Sequence, residues 1–306
     1  MQQTFRINKQ GGSPMNSGRP DTSLWGPGKA MFDDVYNLSD PAAYWQRLAP
    51  LDYQTPEIAA GFYRSLLGSL AVARGRGSLK LIDLCSGYGA LPMMLNHDLQ
   101  PGTLHRLYTD PKRAAQPDDA GRIAYDRNML QRRKAAAQHR IAGVDVAENA
   151  LRYSRTVGLI ERAFVEDLEN DAPSAELARW AADTDVIVEA GGMGYVGEAT
   201  ISKLISAAED GRKPWVLSMP VRTVDTSRLQ EMLADHGYAV EHSSKTFRHR
   251  RFHDQSEQTA ALDRLADFGI DTGGAEIDGF YRARLLVARP TAEAAAWPIQ
   301  ALLPAA

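Results

Sequence analysis

The sequence holds a single cysteine, Cys85, so one chain can build neither an internal disulfide nor a cysteine-based metal cluster. It has no run near the ~18 apolar residues of a spanning helix, and its amino terminus lacks the basic-then-apolar order of a signal peptide. No membrane partner is therefore expected, and a cytoplasmic location is the default. Neither sign of charge is in excess. Lys and Arg number 35 against 38 Asp and Glu, a formal net charge of -3, so no global field draws nucleic acid or an anionic membrane surface. No internal repeat occurs. No group of histidines and carboxylates has metal-ligand spacing, so no metal is expected.

What is present is an ordinary globular composition. Of 306 residues 44% are apolar and 24% charged, enough for one large core or a core with a cap. Residues 1–23 are polar, rich in Gly, Ser, Asn and Pro, and are expected to form a flexible tail. Organisation starts near Trp25, and Tyr36, Tyr44, Trp45 and Tyr53 follow closely. Thr55-Pro56-Glu57 looks like an N-cap followed by proline at the first helical position. Behind it Ile58, Phe62, Leu66 and Leu70 repeat every four residues, one face of a helix. Residues 24–78 are thus expected as a helical cap, with its aromatics mainly in packing.

The stretch around which the chain is organised is Leu79-Lys-Leu-Ile-Asp-Leu-Cys-Ser-Gly-Tyr-Gly89. Residues 79–84 have the apolar density of a buried strand and residues 90–95 read as the first turns of a helix. Between them Gly87 and Gly89 permit a sharp turn and close approach of a ligand to the backbone. A strand, a glycine turn and a helix N-terminus together present N–H groups to an anionic or strongly polar ligand group. Further strands are expected at 140–145, 159–165, 181–188 and 213–219, a sixth beginning at Tyr238 and a last one at 280–288. Asp145 ends the second, Glu166 and Asp167 end the third, and Glu189-Ala-Gly-Gly-Met-Gly-Tyr195 follows the fourth. Such positions share one edge of a parallel sheet, where ligands bind at a switch in strand order. Asp145 would equally serve as a helix cap if it stood alone. Residues 99–139 form an insertion whose basic run, Arg127, Arg132, Arg133 and Lys134, has no interleaved aromatic platform and is read as a solvated helix face. Residues 290–306 are expected to be a peripheral tail.

The spacing Asp83-x-Cys85-x-Gly87-x-Gly89 resembles the first motif of the class I methyltransferases that use S-adenosyl-L-methionine, an acidic residue followed by three alternating glycines. Cys85 stands where the first glycine is usual. With the ordered acids after strands two to four, residues 79–289 resemble the whole methyltransferase core, and the flanking segments resemble the small-molecule enzymes of bacterial secondary metabolism. The resemblance implies an α/β fold: a Rossmann-like seven-stranded sheet with its last strand antiparallel, a helical N-terminal cap and a lid insertion. It implies S-adenosyl-L-methionine as cofactor. Asp83, Cys85, Gly87 and Gly89 would hold its methionyl part, Asp145 and Val146 its ribose, and Glu166, Asp167 and Leu168 its adenine. Glu189 and Ala190 would lie beneath the methionine moiety.

The implied activity is methyl transfer to an O or N atom of a small-molecule acceptor, carboxylate-bearing if the arginines around 248–251 serve as its anchor. Tyr195 on the loop after the fourth strand, and His249 and His253 at the end of the sixth, are the candidate catalytic residues; an unperturbed histidine titrates near neutrality and can take a proton. The loop after the fourth strand lacks the Asn/Asp-Pro-Pro-Tyr motif of amino-directed nucleic-acid methyltransferases, so no nucleic-acid partner is expected. A homodimer stays open. Two alternatives remain: an enzyme that cyclises S-adenosylmethionine and releases methylthioadenosine, and a non-catalytic binding protein.

Overall fold

Strand β1, Lys80–Leu84, is central because its apolar residues are covered on both faces: all but Lys80 are buried. In the computed structural model, which describes residues 32–100, 102–208 and 212–303, β1 pairs in parallel with β2, Arg140–Asp145, and with β4, Val186–Glu189. The tail expected at 1–23, and Trp25, lie outside the described residues. Next come β3, Arg162–Val165, outside β2, and β5, Trp215–Ser218, outside β4. With β6, Tyr238–His242, and β9, Leu286–Pro290, the sheet order is β3-β2-β1-β4-β5-β9-β6. Within this sheet β9 runs against its neighbours β5 and β6. This is a Rossmann-like seven-stranded sheet with an antiparallel last strand, as the resemblance implies. The chain crosses from β1 to β2 on one side and later from β3 back to β4 on the other, which opens a crevice at the carboxyl ends of β1 and β4.

Two expected strands are each two. The alternating stretch after Tyr238 divides into β6 and β7, Phe247–Arg251, and the stretch 280–288 divides into β8, Phe280–Ala283, and β9. β7 and β8 pair with each other as a separate two-stranded sheet. The reason is chemical. Leu286, Val287 and Ala288 are fully buried in the main sheet, a place the charged run 248–251 could not enter without uncompensated desolvation. Ala181, expected in the fourth strand, instead lies in the last turn of the helix Ala175–Ala182.

Three helices form the cap: Asp33–Tyr36, Ala42–Leu48 and Thr55–Ala73. The last buries Ala59, Tyr63, Leu66, Leu67 and Leu70, and Tyr63 donates to the Glu189 carbonyl at 2.6 Å. Thr55 is not the N-cap; Gln54 is, and Thr55 is the first helical residue with its hydroxyl turned elsewhere. The insertion folds as helices Thr103–Tyr108, Pro111–Ala114 and Asp119–Gln131. A buried ion cluster pins it. The Arg113 guanidinium donates to Asp126 at 2.9 Å and to Asp40 of the cap at 2.7 Å, while Tyr153 of the core helix Glu148–Thr156 donates to Asp126 at 3.0 Å. Arg127, Arg132, Arg133 and Lys134 are exposed. Helices Thr291–Ala296 and Ile299–Leu302 close the described chain. Among the described residues no helix is long and apolar enough to cross a membrane.

Candidate functional site

The turn after β1 shows why the motif spacing matters. Cys85, Gly87 and Gly89 have φ of 51°, 47° and 74°, so alternate residues take the left-handed conformation. The first of the three is occupied by a residue with a Cβ, at a strain of about 1–2 kcal/mol. The other two need glycine for space as well. A Cβ on Gly89 would lie 2.3 Å from the Ser154 hydroxyl of the Glu148–Thr156 helix, and one on Gly87 would lie 2.6 Å from the Tyr36 hydroxyl. Cys85 Sγ packs 3.7 Å from the Gly192 carbonyl oxygen, joining the turn to the loop after β4. Burial, with Asp145 and Glu189 nearby, pushes its thiol well up, so it is not a nucleophile at neutral pH.

Asp145, at the carboxyl end of β2, reaches the same turn. One carboxylate oxygen accepts the Ala147 N–H at 2.9 Å; the other accepts the Gly87 N–H at 2.9 Å and the Tyr36 hydroxyl at 2.8 Å. It thus serves both its local turn and the glycine turn. Burial raises its pKa against the pull of these donors. Asp83 lies deeper, 2% exposed, and its Oδ2 is buried with no hydrogen-bond partner among the described residues. Burial chiefly, then the charges of Glu189 and Asp145, lift its pKa from 3.8 to about 8.

Glu189 is buried at the end of β4 and fully engaged: Gly192 and Met193 N–H groups donate to one oxygen, the Ser218 hydroxyl and Met219 N–H to the other. Its side chain therefore shapes the 189–195 loop. Ala190 lines the cavity, and its carbonyl accepts from Tyr53 at 3.2 Å. The adenine-side acids are turned to local work. Glu166 accepts both the N–H and the hydroxyl of Ser174, Asp167 accepts from Glu169 and Asn170, and Leu168 is buried. What the ends of β2 and β3 do offer is apolar surface, Val146 at 65% and Val165 at 49% exposure.

His249 and His253 part company. His249 on β7 is buried, its Nδ1 2.6 Å from the Thr55 hydroxyl, its ring edge-on to Tyr53, and a Cβ on Gly191 would lie 2.9 Å from its Cε1. The main chain repeats the link, Gln54 N–H donating to the His249 carbonyl at 2.9 Å. His253 lies beyond the strand, exposed, 3.3 Å from Asp254, and does not join this group. Tyr195 is 41% exposed on the loop, near enough for its charge to raise the phenols of Tyr44, Tyr53 and Tyr281.

The arginines around 248–251 are committed within the fold. Arg250 is buried against Glu257 at 2.7 Å, Arg248 pairs with Asp278 at 3.2 Å, and both Arg248 and Arg251 lie over the Phe280 ring.

The residues that sequence reasoning missed come from the cap. Tyr36, Tyr44, Tyr53 and Pro56 line the cavity together with Asp83, Cys85, Gly87 and Ala190. Trp45, 1% exposed and stacked on Tyr108, lines the same cavity. One signal was available. A pure packing face would favour Phe or Leu, whereas the cap places phenols here, rings that carry a polar tip.

No family model matches the chain, and no curated protein matches it in sequence. Among solved structures it is similar to magnesium protoporphyrin IX methyltransferase from Synechocystis with bound S-adenosylmethionine, at 14% identity and a TM-score of 0.39 over 90% of this chain and 100% of that one. A second is the plantazolicin methyltransferase BpumL in complex with S-adenosylhomocysteine, at 8% identity and a TM-score of 0.41 over 80% of this chain and 93% of that one. A third is a TehB-like S-adenosylmethionine-dependent methyltransferase from Corynebacterium glutamicum, at 15% identity and a TM-score of 0.38 over 80% of this chain and 94% of that one. These are distant likenesses, and the fold is read from the strand order.

Proposed function

We propose that this chain is an enzyme that binds S-adenosyl-L-methionine at the β1–β4 crevice and transfers its methyl group to an O or N atom of a small metabolite. The observation that carries the proposal is the meeting of the Gly87 N–H and the Asp145 carboxylate at 2.9 Å, together with a buried Asp83 oxygen that lacks a partner among the described residues. The residues fit the group. Gly87 lets the backbone approach where a Cβ would meet the Tyr36 hydroxyl at 2.6 Å, Asp145 is a carboxylate suited to a diol, and Asp83 is an acceptor suited to an ammonium.

Bound there, S-adenosylmethionine supplies an already activated methyl group, so the protein's task is to orient, exclude water and hold a proton. Asp83 and the 85–89 turn would hold the methionyl end, Asp145 the ribose, and Val146 with Val165 the flat heterocycle. Tyr53 and His249 converge on Gly191 at the acceptor side, with Thr55 held against His249. His249 would take the acceptor's proton, with Thr55 fixing its ring. Tyr195 would close the acceptor side from the loop. His253, exposed beside Asp254, has no place in this scheme. The arginines support no carboxylate anchor, since Arg248 and Arg250 already hold acids and Arg251 lies against Phe280. A cytoplasmic, metal-free enzyme of secondary metabolism is the setting we propose for it, with cap, core and tail divided as the sequence divides them.

The test is direct. The protein is incubated with S-adenosylmethionine and a panel of small phenols, alcohols, amines and carboxylates, and the nucleoside products are resolved by chromatography. Acceptor-dependent S-adenosylhomocysteine supports methyl transfer. Methylthioadenosine formed without acceptor would replace it with the cyclising reading. Binding without any turnover would favour a binding protein, and no binding in calorimetry would remove the cofactor itself.

A further inference from the structure

We propose that Tyr36 is a further residue of the nucleoside site, a built-in competitor that holds the Asp145 carboxylate until a vicinal diol displaces it. The inference rests on the reading of Asp145 as the ribose carboxylate.

The geometry points there from four sides. The Tyr36 hydroxyl donates to Asp145 Oδ2 at 2.8 Å, on the same oxygen that accepts the Gly87 N–H. A sugar hydroxyl would present the same donor to the same oxygen, so phenol and diol are alternatives. The hydroxyl also lies in the space above Gly87, where a Cβ would be 2.6 Å from it, so the ring covers the open face of the turn. The cavity left beside it is about 40 Å³, far below the roughly 300 Å³ at which small-molecule pockets begin.

The ring is also held as a part rather than left as a loose end. Tyr36 packs edge-on against Tyr44, with centroids 5.5 Å apart, and against Tyr88 at 6.2 Å. The Tyr88 hydroxyl accepts the Leu38 N–H at 2.8 Å, and the Asn37 side chain accepts the Asn149 N–H at 2.8 Å. The segment carrying Tyr36 is thus clamped to the glycine turn on one side and to the N-terminus of the Glu148–Thr156 helix on the other. Burial and the Asp145 charge push the Tyr36 phenol well above its ordinary pKa, so it remains a donor throughout the neutral range. Nothing about Tyr36 is needed to fold Asp145, whose carboxylate already has two main-chain donors. Its hydroxyl adds a third bond at the one place a ligand requires.

Displacing that bond subtracts it from the ligand's affinity, and opening precedes binding. A charge-assisted hydrogen bond of this kind corresponds to about tenfold to a hundredfold in a dissociation constant. The probe is S-adenosylhomocysteine, measured by calorimetry and by stopped-flow fluorescence on wild type, Y36F and Y125F. Tyr125 is the control, a phenol of the insertion that donates to the Asp110 carboxylate at 2.7 Å and does not line the cavity. Y36F is expected to bind at least tenfold tighter, and Y125F within about twofold of wild type. In wild type the observed association rate should level off with ligand concentration at the opening rate, and in Y36F the plateau should rise. Equal affinity in Y36F and wild type, weaker affinity in Y36F, or a wild-type rate that climbs linearly without a plateau would each overturn the competitor role. Weaker binding would mean that the hydroxyl touches the ligand. If wild type, Y36F and Y125F all fail to bind S-adenosylhomocysteine, the cofactor reading itself falls and this inference with it. Binding by all three with Y36F unaltered removes the inference alone.

Discussion

Asp83 gives the site a pH dependence whose sign can be worked out. Its carboxyl group is 2% exposed, one oxygen has no partner among the described residues, and burial followed by the charges of Glu189 and Asp145 raises its pKa from 3.8 to about 8. The folded chain therefore keeps a proton at pH 7 that the unfolded chain has lost. Because the folded pKa lies above the unfolded one, the stability contribution is complete below pH ~4 and is lost as pH rises toward ~8. A rise of that size corresponds to about 6 kcal/mol as an order of magnitude.

Ligand binding runs the other way. An ammonium group set beside Asp83 requires the carboxylate, which makes up about a tenth of the population at pH 7, a hundredth at pH 6 and half at pH 8. The apparent affinity is reduced by that fraction, so the Kd for S-adenosylhomocysteine should fall about fiftyfold from pH 6 to pH 8, about 2.3 kcal/mol. Calorimetry in two buffers of different ionisation enthalpy should also show close to one proton released per ligand at pH 7. D83N should bind more weakly, with little pH dependence, and should lose the decline in stability between pH 4 and 8. A wild-type Kd that is flat across this range, or a D83N slope equal to wild type, would refute the reasoning.

Three further outcomes follow from the same geometry. C85V should lose more than about 1 kcal/mol in urea unfolding, since a β-branched residue is poorly suited to φ of 51°, while C85G should stay within about 1 kcal/mol of wild type. T55V should leave S-adenosylhomocysteine affinity unchanged but cost about 1–3 kcal/mol of stability, alter the His249 ring-nitrogen NMR shifts and lower turnover; T55S should restore all three. Tyr195 is exposed, so Y195A should melt with wild-type stability to within about 0.5 kcal/mol, and turnover at matched folded fraction reports its role directly: a rate equal to wild type removes it from the site.

The sheet was legible because its determinants are local. The run ending in Asp83-x-Cys85-x-Gly87-x-Gly89 specifies a buried strand and a turn of alternating left-handed residues, and the structure places φ of 51°, 47° and 74° at those alternate positions. Asp145 was placed by ending a strand of known direction. What could not be read were meetings set by tertiary packing. Tyr36 lies 109 residues from Asp145, and Thr55 lies 194 from His249, distances over which no periodicity speaks. The local bonds of Glu166 and Asp167 went unread for a different reason. Glu166 and Asp167 precede a helix and a turn whose N–H groups compete for carboxylates, a demand visible in the sequence as Ser174 and Asn170. The split of the last strands escaped because alternation is the same in either sheet, and only the burial of 286–288 against the charge of 248–251 separates them.

The electrostatics of the crevice follow from this arrangement. Asp83, Asp145 and Glu189 lie at the carboxyl ends of three adjacent strands, β1, β2 and β4, all buried, and each has its pKa raised chiefly by burial. Each of the charges on Asp145 and Glu189 raises Asp83 further, and all three raise Cys85. Yet the three are not equivalent. Glu189 has four donors and Asp145 three, enough to hold a charge in place, whereas Asp83 Oδ2 has none among the described residues. Two of the acids therefore shape the backbone, and the third is left as the acceptor that a bound cation would complete. An apolar replacement of Asp83 would relieve the cost of burying a carboxyl group, so its presence is more easily understood as serving a ligand than as serving the fold. D83L separates the two. If the fold needed the acid, D83L would unfold at lower urea than wild type. If the acid serves the ligand, D83L should match or exceed wild-type stability at pH 8 while losing S-adenosylhomocysteine binding.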